Sequence, residues 1–180
     1  MAVEHEVKLV FESVEAARQA VLTAGGRLVV SRRLLRDVLF DTADGRMRRE
    51  STSVRLRRDG AAGILTFKGP VRPGPVKSRE EVETAVADAD AAERILRSLG
   101  LQPVFASEKY REEFMVGAAR VVIDEAPIGI FVEIEADPGD IDAAARALGR
   151  GPDDYRLESY QRLYTAWCQA RGITPGHMTF

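Results

Sequence analysis

This 180-residue sequence holds only one cysteine, two histidines and one tryptophan. The lone thiol, Cys168, excludes an internal disulfide and any cysteine metal cluster. Its place in an apolar helical pattern reads as a buried thiol rather than a nucleophile. No apolar run approaches the ~20 residues of a membrane span. Net charge is only −2, so no bulk field of one sign draws in nucleic acid or an anionic membrane. The first residues are acidic and polar, unlike a secretory leader, and the expectation is a cytoplasmic protein with no membrane or nucleic-acid partner.

What the sequence does have is charge placed with period two. In Val3-Glu4-His5-Glu6-Val7-Lys8-Leu9 the alternation reads as a β-strand. Glu4, Glu6 and Lys8 then share one face, each about 7 Å from the next. The pattern returns along the chain. A strand over 53–58 puts Arg55 and Arg57 on one face, and one over 64–68 puts Thr66 and Lys68 opposite Leu65 and Phe67. Arg79, Glu81 and Glu83 share a face of 79–84, and Lys109, Arg111 and Glu113 share one of 108–114. Asp124 points with Arg120 and Val122, and Glu133 and Glu135 oppose Val132 and Ile134. A further strand over 36–40 carries no charge that can be assigned to a face.

Amphipathic helices fall between these strands. Ser13 caps one that Gly25-Gly26 ends, and Asp90 with Glu93 has the spacing of a capping box before the stripe Ala92, Ile95, Leu96, Leu99. Asp140 heads a short helix, and Glu158 or Ser159 opens a last one with the stripe Tyr160, Leu163, Tyr164, Trp167. The segments 41–45 and 59–63 have turn chemistry. The Pro- and Gly-rich stretch 69–78, made basic by Arg72 and Lys77, reads either as an exposed connection or as a flap over an anionic ligand. One domain is expected over 1–172, with 173–180 a frayed, flexible tail.

A single open sheet with one solvated face would also show charged strand faces. Against it, the opposite faces are strongly apolar and need cover, which the helices supply. Arginines and glutamates also come in i, i+2 pairs, and about seven or eight antiparallel strands tend to close. Curled with charge inward, the sheet becomes a polar-lined barrel with helices outside. Isolated charges there would cost several kcal/mol each, so they must pair or meet a ligand. Arginine forks and lysines match phosphate oxygens, and carboxylates without His or Cys suit hard cations such as Mg²⁺ or Mn²⁺. Together they point to a polyphosphate bound with its metals.

The ordered set of motifs resembles the CYTH family, the triphosphate tunnel metalloenzymes. It comprises Glu4-x-Glu6-x-Lys8, Phe40-Asp41-Thr42, Arg55-x-Arg57 and Thr66-Phe67-Lys68-Gly69, then Arg79-x-Glu81-x-Glu83, Lys109-x-Arg111, and Asp124 followed by Gly129 to Glu135. The resemblance spans about residues 2–168 and implies an α+β fold, a closed eight-stranded antiparallel barrel with a charged lumen. Carried over residue by residue, it makes Glu4, Glu6 and Lys8 the catalytic signature. Glu4, Glu6, Asp124, Glu133 and Glu135 become holders of Mg²⁺ or Mn²⁺. Lys8, Arg55, Arg57, Lys68, Lys109 and Arg111 become phosphate ligands, and Arg79, Glu81 and Glu83 either lumen ligands or structural ion pairs. The layout is most similar to class IV adenylyl cyclases, which convert ATP to cyclic AMP and pyrophosphate. Hydrolysis of thiamine triphosphate or tripolyphosphate, or non-catalytic binding of a polyphosphate, stands as the alternative. Family members are often homodimers, though no patch in the sequence marks an interface.

Overall fold

The computed structural model describes residues 3–59 and 62–180. Eight strands form its wall: β1 (Val3–Phe11), β2 (Arg27–Thr42), β3 (Ser53–Asp59), β4 (Ala62–Lys68), β5 (Lys77–Val86), β6 (Leu101–Val116), β7 (Ala119–Ala126) and β8 (Gly129–Glu135). Every neighbouring pair is antiparallel, and the order β1-β5-β4-β3-β2-β6-β7-β8 closes on itself through the pairing of β1 with β8. Closure removes free sheet edges and gives each strand an inner and an outer face. The expected turn at 59–63 has its centre outside the described residues.

The apolar halves of the alternating strands point outward and are covered by helices. These are α1 (Val14–Thr23), α2 (Arg46–Arg49), α3 (Ala89–Ser98), α4 (Pro138–Ala147) and α5 (Tyr160–Gln169). The largest apolar cluster joins Val7 and Leu9 of β1 and Val132 and Ile134 of β8 to Ala17 and Val21 of α1 and Ile141 of α4, all fully buried. A second cluster seats Ala92 and Leu96 of α3 against Phe40, Val54 and Leu56. Each Val, Leu, Ile or Phe side chain removed from water contributes about 1.5–3 kcal/mol. No helix among the described residues is long and apolar enough to cross a membrane.

Several local expectations need correction. β2 and β6 each run 16 residues, far beyond the predicted cores, because bulges along β2 let it bend with the wall. The turn predicted after Phe40 is present at 43–44, and it leads into a short helix, α2, that the sequence does not announce. The Asp41 carboxylate accepts the backbone N–H groups of Thr42, Met47 and Arg48, at 2.7, 2.8 and 3.1 Å, and so ends the strand and starts the helix. The cap of α3 is Asp88, which accepts from the Ala91 N–H, while Asp90 is drawn to Arg58 at 2.7 Å. Only Ala92 and Leu96 of the α3 stripe are buried; Ile95 and Leu99 are 60% and 73% exposed.

The C-terminal segment is not frayed. Met178 pairs with Ser107 in a short parallel bridge, its N–H donating to the Ala106 carbonyl and its carbonyl accepting from the Glu108 N–H. The reason is an open stretch of β6: β7 pairs with that strand only from Tyr110 onward, so the residues before it have backbone groups to spare on that side. The Tyr164 hydroxyl donates to the His177 carbonyl, and the Phe180 ring lies against Tyr110.

Candidate active site

Alternation on a closed wall sends one set of side chains into a common lumen, a cavity of about 560 Å³. Glu4, Glu6, Lys8, Arg55, Arg57, Lys68, Arg79, Glu81, Glu83, Lys109, Arg111, Glu133 and Glu135 all line it, so these residues of six strands, β1, β3, β4, β5, β6 and β8, are brought together. Asp124 sits just behind them, fully buried. Among the described residues, ten basic and eight acidic side chains line the cavity.

The charges form linked pairs. Glu6 accepts from Lys8 Nζ at 2.9 Å and from Lys77 Nζ. Glu4 accepts from Lys68 Nζ at 2.9 Å and from Arg79 Nε at 3.2 Å. Lys68 also pairs with Glu81 at 2.7 Å. Arg57 donates Nε and Nη2 to both oxygens of Asp37, at 2.7 and 2.8 Å. Asp124 accepts from Arg111 Nε and Nη2, from Lys109 Nζ at 2.7 Å and from the Tyr160 hydroxyl at 2.8 Å. Arg111 reaches on to Glu133, which also faces Lys8 at 3.3 Å.

Burial and charge compete at each of these groups. Burial disfavours ionised Glu6, but Lys8 and Lys77 outweigh it and hold the carboxyl well below the usual range. Asp37 is likewise pulled far down against burial by Arg57. Glu4 moves the other way, because burial and the neighbouring Glu6 both push it up. Burial also raises Glu135, with Arg120 only partly offsetting it. Burial and a nearby cation lower two lysines to about 8: Lys8 acts on Lys77, and Arg111 on Lys109.

Arg55 differs from its neighbours. Its Nη2 donates to Thr66 Oγ1 at 3.1 Å and to Glu83 at 3.4 Å, but its Nε is buried with no hydrogen-bond partner. Burial and the adjacent Arg57 lower its pKa, as expected of an under-neutralised cation. A buried guanidinium donor left unpaired is costly, and an anion in the lumen would satisfy it.

The acids offer a second opening. Glu6 of β1 and Glu135 of β8 stand directly opposite each other in register, an unfavourable position for two carboxylates. Among the described residues no three acidic, His or Cys side chains already converge as a cation site. The oxygens of Glu4, Glu6, Glu133 and Glu135 are instead held by lysines and arginines. This oxygen-only set still fits a hard divalent cation, which would relieve the opposed pair.

Asp37, Lys77, Tyr160 and Met178 are among the lining residues that escaped sequence reasoning. Asp37 supplies the charge of β2 that could not be placed, because Arg36 beside it is equally charged and points the opposite way, to Glu108 at 2.9 Å. Lys77 closes the Pro-rich stretch 69–78 and sits 4% exposed inside the lumen rather than on a mobile loop. Tyr160 reads as one residue of a core stripe, yet it opens α5 at the cavity wall, with Lys109 Nζ 4.4 Å from its ring centre. Met178 lines the cavity from the tail. His5 falls on the opposite strand face from Glu4 and Glu6, as expected from alternation.

A closed antiparallel barrel whose inner face is lined with paired charge, and whose core lies outside the wall, defines a tunnel fold with a charged lumen. The chain belongs to the CYTH family, whose domain matches residues 2–150. It is 30% identical over 132 residues to adenylate cyclase CyaB of Aeromonas hydrophila, covering 73% of this chain and 67% of that protein. A Vibrio parahaemolyticus crystal structure superimposes with a TM-score of 0.78 at 20% identity, over 89% of this chain and 96% of that one. HpAC1 from Hippeastrum, whose structure is described with a dominant triphosphatase activity, superimposes with a TM-score of 0.65 at 15% identity, over 97% of this chain and 98% of that one.

Proposed function

We propose that the lumen binds a nucleoside triphosphate with a divalent cation and converts it as a class IV adenylyl cyclase does, ATP giving cyclic AMP and pyrophosphate. The observation that carries the phosphate part is the unpartnered Arg55 Nε in a lumen with more bases than acids. The likeness to CyaB supports the cyclase part.

Arg55 meets the phosphate through its orphaned donor, and Arg57 and Arg111 through Nη1, which their bidentate partners Asp37 and Asp124 leave over. Lys8, Lys68 and Lys109 add point charge. Glu4, Glu6, Glu133 and Glu135 hold Mg²⁺ or Mn²⁺. Asp124 does not join them in this reading, because both its oxygens already serve Lys109, Arg111 and Tyr160, and its role is to fix the two cations. When bound, the metal neutralises phosphate charge and polarises the phosphorus under attack. A triphosphate carries roughly four negative charges, so release of lysines from the carboxylates to the phosphates keeps the buried charge near balance.

In the cyclase reaction the ribose 3′-hydroxyl bonds to the α-phosphorus and the bond to the β-phosphate oxygen breaks. The hydroxyl proton passes to water in the lumen, no side chain being set apart as a dedicated base. The deciding assay incubates ATP, thiamine triphosphate and tripolyphosphate with Mg²⁺ or Mn²⁺ and scores cyclic AMP, pyrophosphate and orthophosphate. Cyclic AMP with equimolar pyrophosphate is expected. Orthophosphate alone would make the protein a triphosphatase, and binding without turnover would make it a polyphosphate binder.

A further inference from the structure

The lumen is not charged along its whole length. β6 presents Phe105, Ser107, Lys109, Arg111 and Glu113 inward in that order. At ~3.4 Å per residue the first and last are about 27 Å apart along the strand. The Glu113 end carries ion pairs to Arg33 and Arg120. Near Phe105 the wall carries an apolar patch, beside Ser107 and Tyr160. Leu39 of β2 stands directly opposite Phe105 in register, and Met178 of the tail closes over the pair. Phe105 and Met178 are 5% and 1% exposed, and with Leu39 and Tyr160 they belong to one apolar cluster that still borders the cavity.

The Leu39, Phe105 and Met178 side chains offer phosphate oxygens no hydrogen-bond donor, whereas Arg55 stands directly opposite Leu39 in register on the other side, so an apolar patch borders the phosphate ligands. A flat aromatic group gains apolar contact there, while a chain of phosphates attached to it would extend toward Lys109, Arg111 and Arg57. Met178 reaches this position only because the tail is hydrogen-bonded to the open stretch of β6. The tail also lies beyond residues 2–150 that match the family. We propose that Leu39, Phe105 and Met178 seat the aromatic organic group of the triphosphate ester, so that the C-terminal segment sets preference for organic over inorganic triphosphate. This rests on the phosphate-binding reading of the same lumen.

The test measures dissociation constants of ATP and of tripolyphosphate for the full-length chain by calorimetry. Met178→Gln keeps side-chain length but makes the seat polar, and Leu39→Ser probes it from a different element. Each is expected to weaken ATP binding about tenfold more than tripolyphosphate binding. Equal changes for both ligands in both variants, or no change in either, would overturn the seat while leaving the phosphate reading intact. Failure of the unaltered chain to bind tripolyphosphate would overturn the phosphate reading, and this inference with it.

Discussion

Two arginines of one strand, Arg55 and Arg57, separate the two tasks that buried charge performs here. Arg57 is held by Asp37 through two short bonds, both groups nearly out of solvent. Removing it strands a buried carboxylate, at about 3–5 kcal/mol. Arg57→Ala should therefore lose most turnover and also melt at lower temperature, and adding Asp37→Ala should restore melting without restoring turnover. Arg55 has no such partner at its Nε. Arg55→Ala should leave the melting temperature within a few degrees of wild type yet weaken tripolyphosphate binding about tenfold or more, a charge-assisted contact being worth about 1.5–3 kcal/mol. Glu6→Gln should abolish most metal-dependent turnover. Wild-type rates in that variant would remove Glu6 from the machinery.

The lumen lysines make binding depend on pH. Lys77 and Lys109, lowered to about 8, are depressed below their unfolded values. The fold therefore binds fewer protons than the unfolded chain between about pH 8 and the unfolded lysine value, and their contribution to stability rises with pH there. Ligand binding has the opposite sign. A phosphate favours charged lysine, so tripolyphosphate affinity should fall several-fold from pH 7 to pH 9, with proton uptake on binding near pH 8. Calorimetry in buffers of different ionisation enthalpy reads that uptake directly. At the acid end, Asp37, Glu6 and Glu133 are held low by their cations, so the stability they supply is present above pH ~4 and lost as pH falls below it.

At the scale of elements, short caps fix where the wall turns. Asp41 ends β2 and starts α2 by accepting three backbone N–H groups. Asp41→Ala should lower stability by about 1–2 kcal/mol, the usual magnitude for a lost cap, measured by denaturant unfolding, with the lumen arginines left in place. The strands were legible because period-two charge is rare enough to mark an inner face, and Glu4-x-Glu6-x-Lys8 or Lys109-x-Arg111 can be read without knowing what faces them. Asp37 could not be read, because Arg36 offers the opposite parity with equal weight. Lys77 was hidden by the prolines before it. Tyr160 reads as part of the helix stripe because sequence spacing does not say that the first turn of α5 meets the lumen. The docking of the tail rests on backbone groups of β6 left open by the late start of β7 and on a single methionine, and neither leaves a periodic trace.

At the scale of the whole molecule, the usual layering is reversed: apolar clusters lie between wall and helices, and the lumen is filled with ion pairs. Such an interior is stable only while acids and bases are matched, and ten lining bases against eight lining acids, with Asp124 behind them as a ninth, leave it short of anion. Tripolyphosphate should therefore raise the melting temperature by several degrees at saturating concentration, through preferential binding to the folded state. Crystals grown with Mn²⁺ and tripolyphosphate would show whether the lumen holds both, because manganese scatters anomalously. The phosphate chain should lie within hydrogen-bonding distance of Arg55 Nε, with manganese beside Glu6, Glu133 or Glu135. Phosphate and manganese bound only on the outer surface, with the lumen ion pairs unchanged, would contradict binding in the lumen.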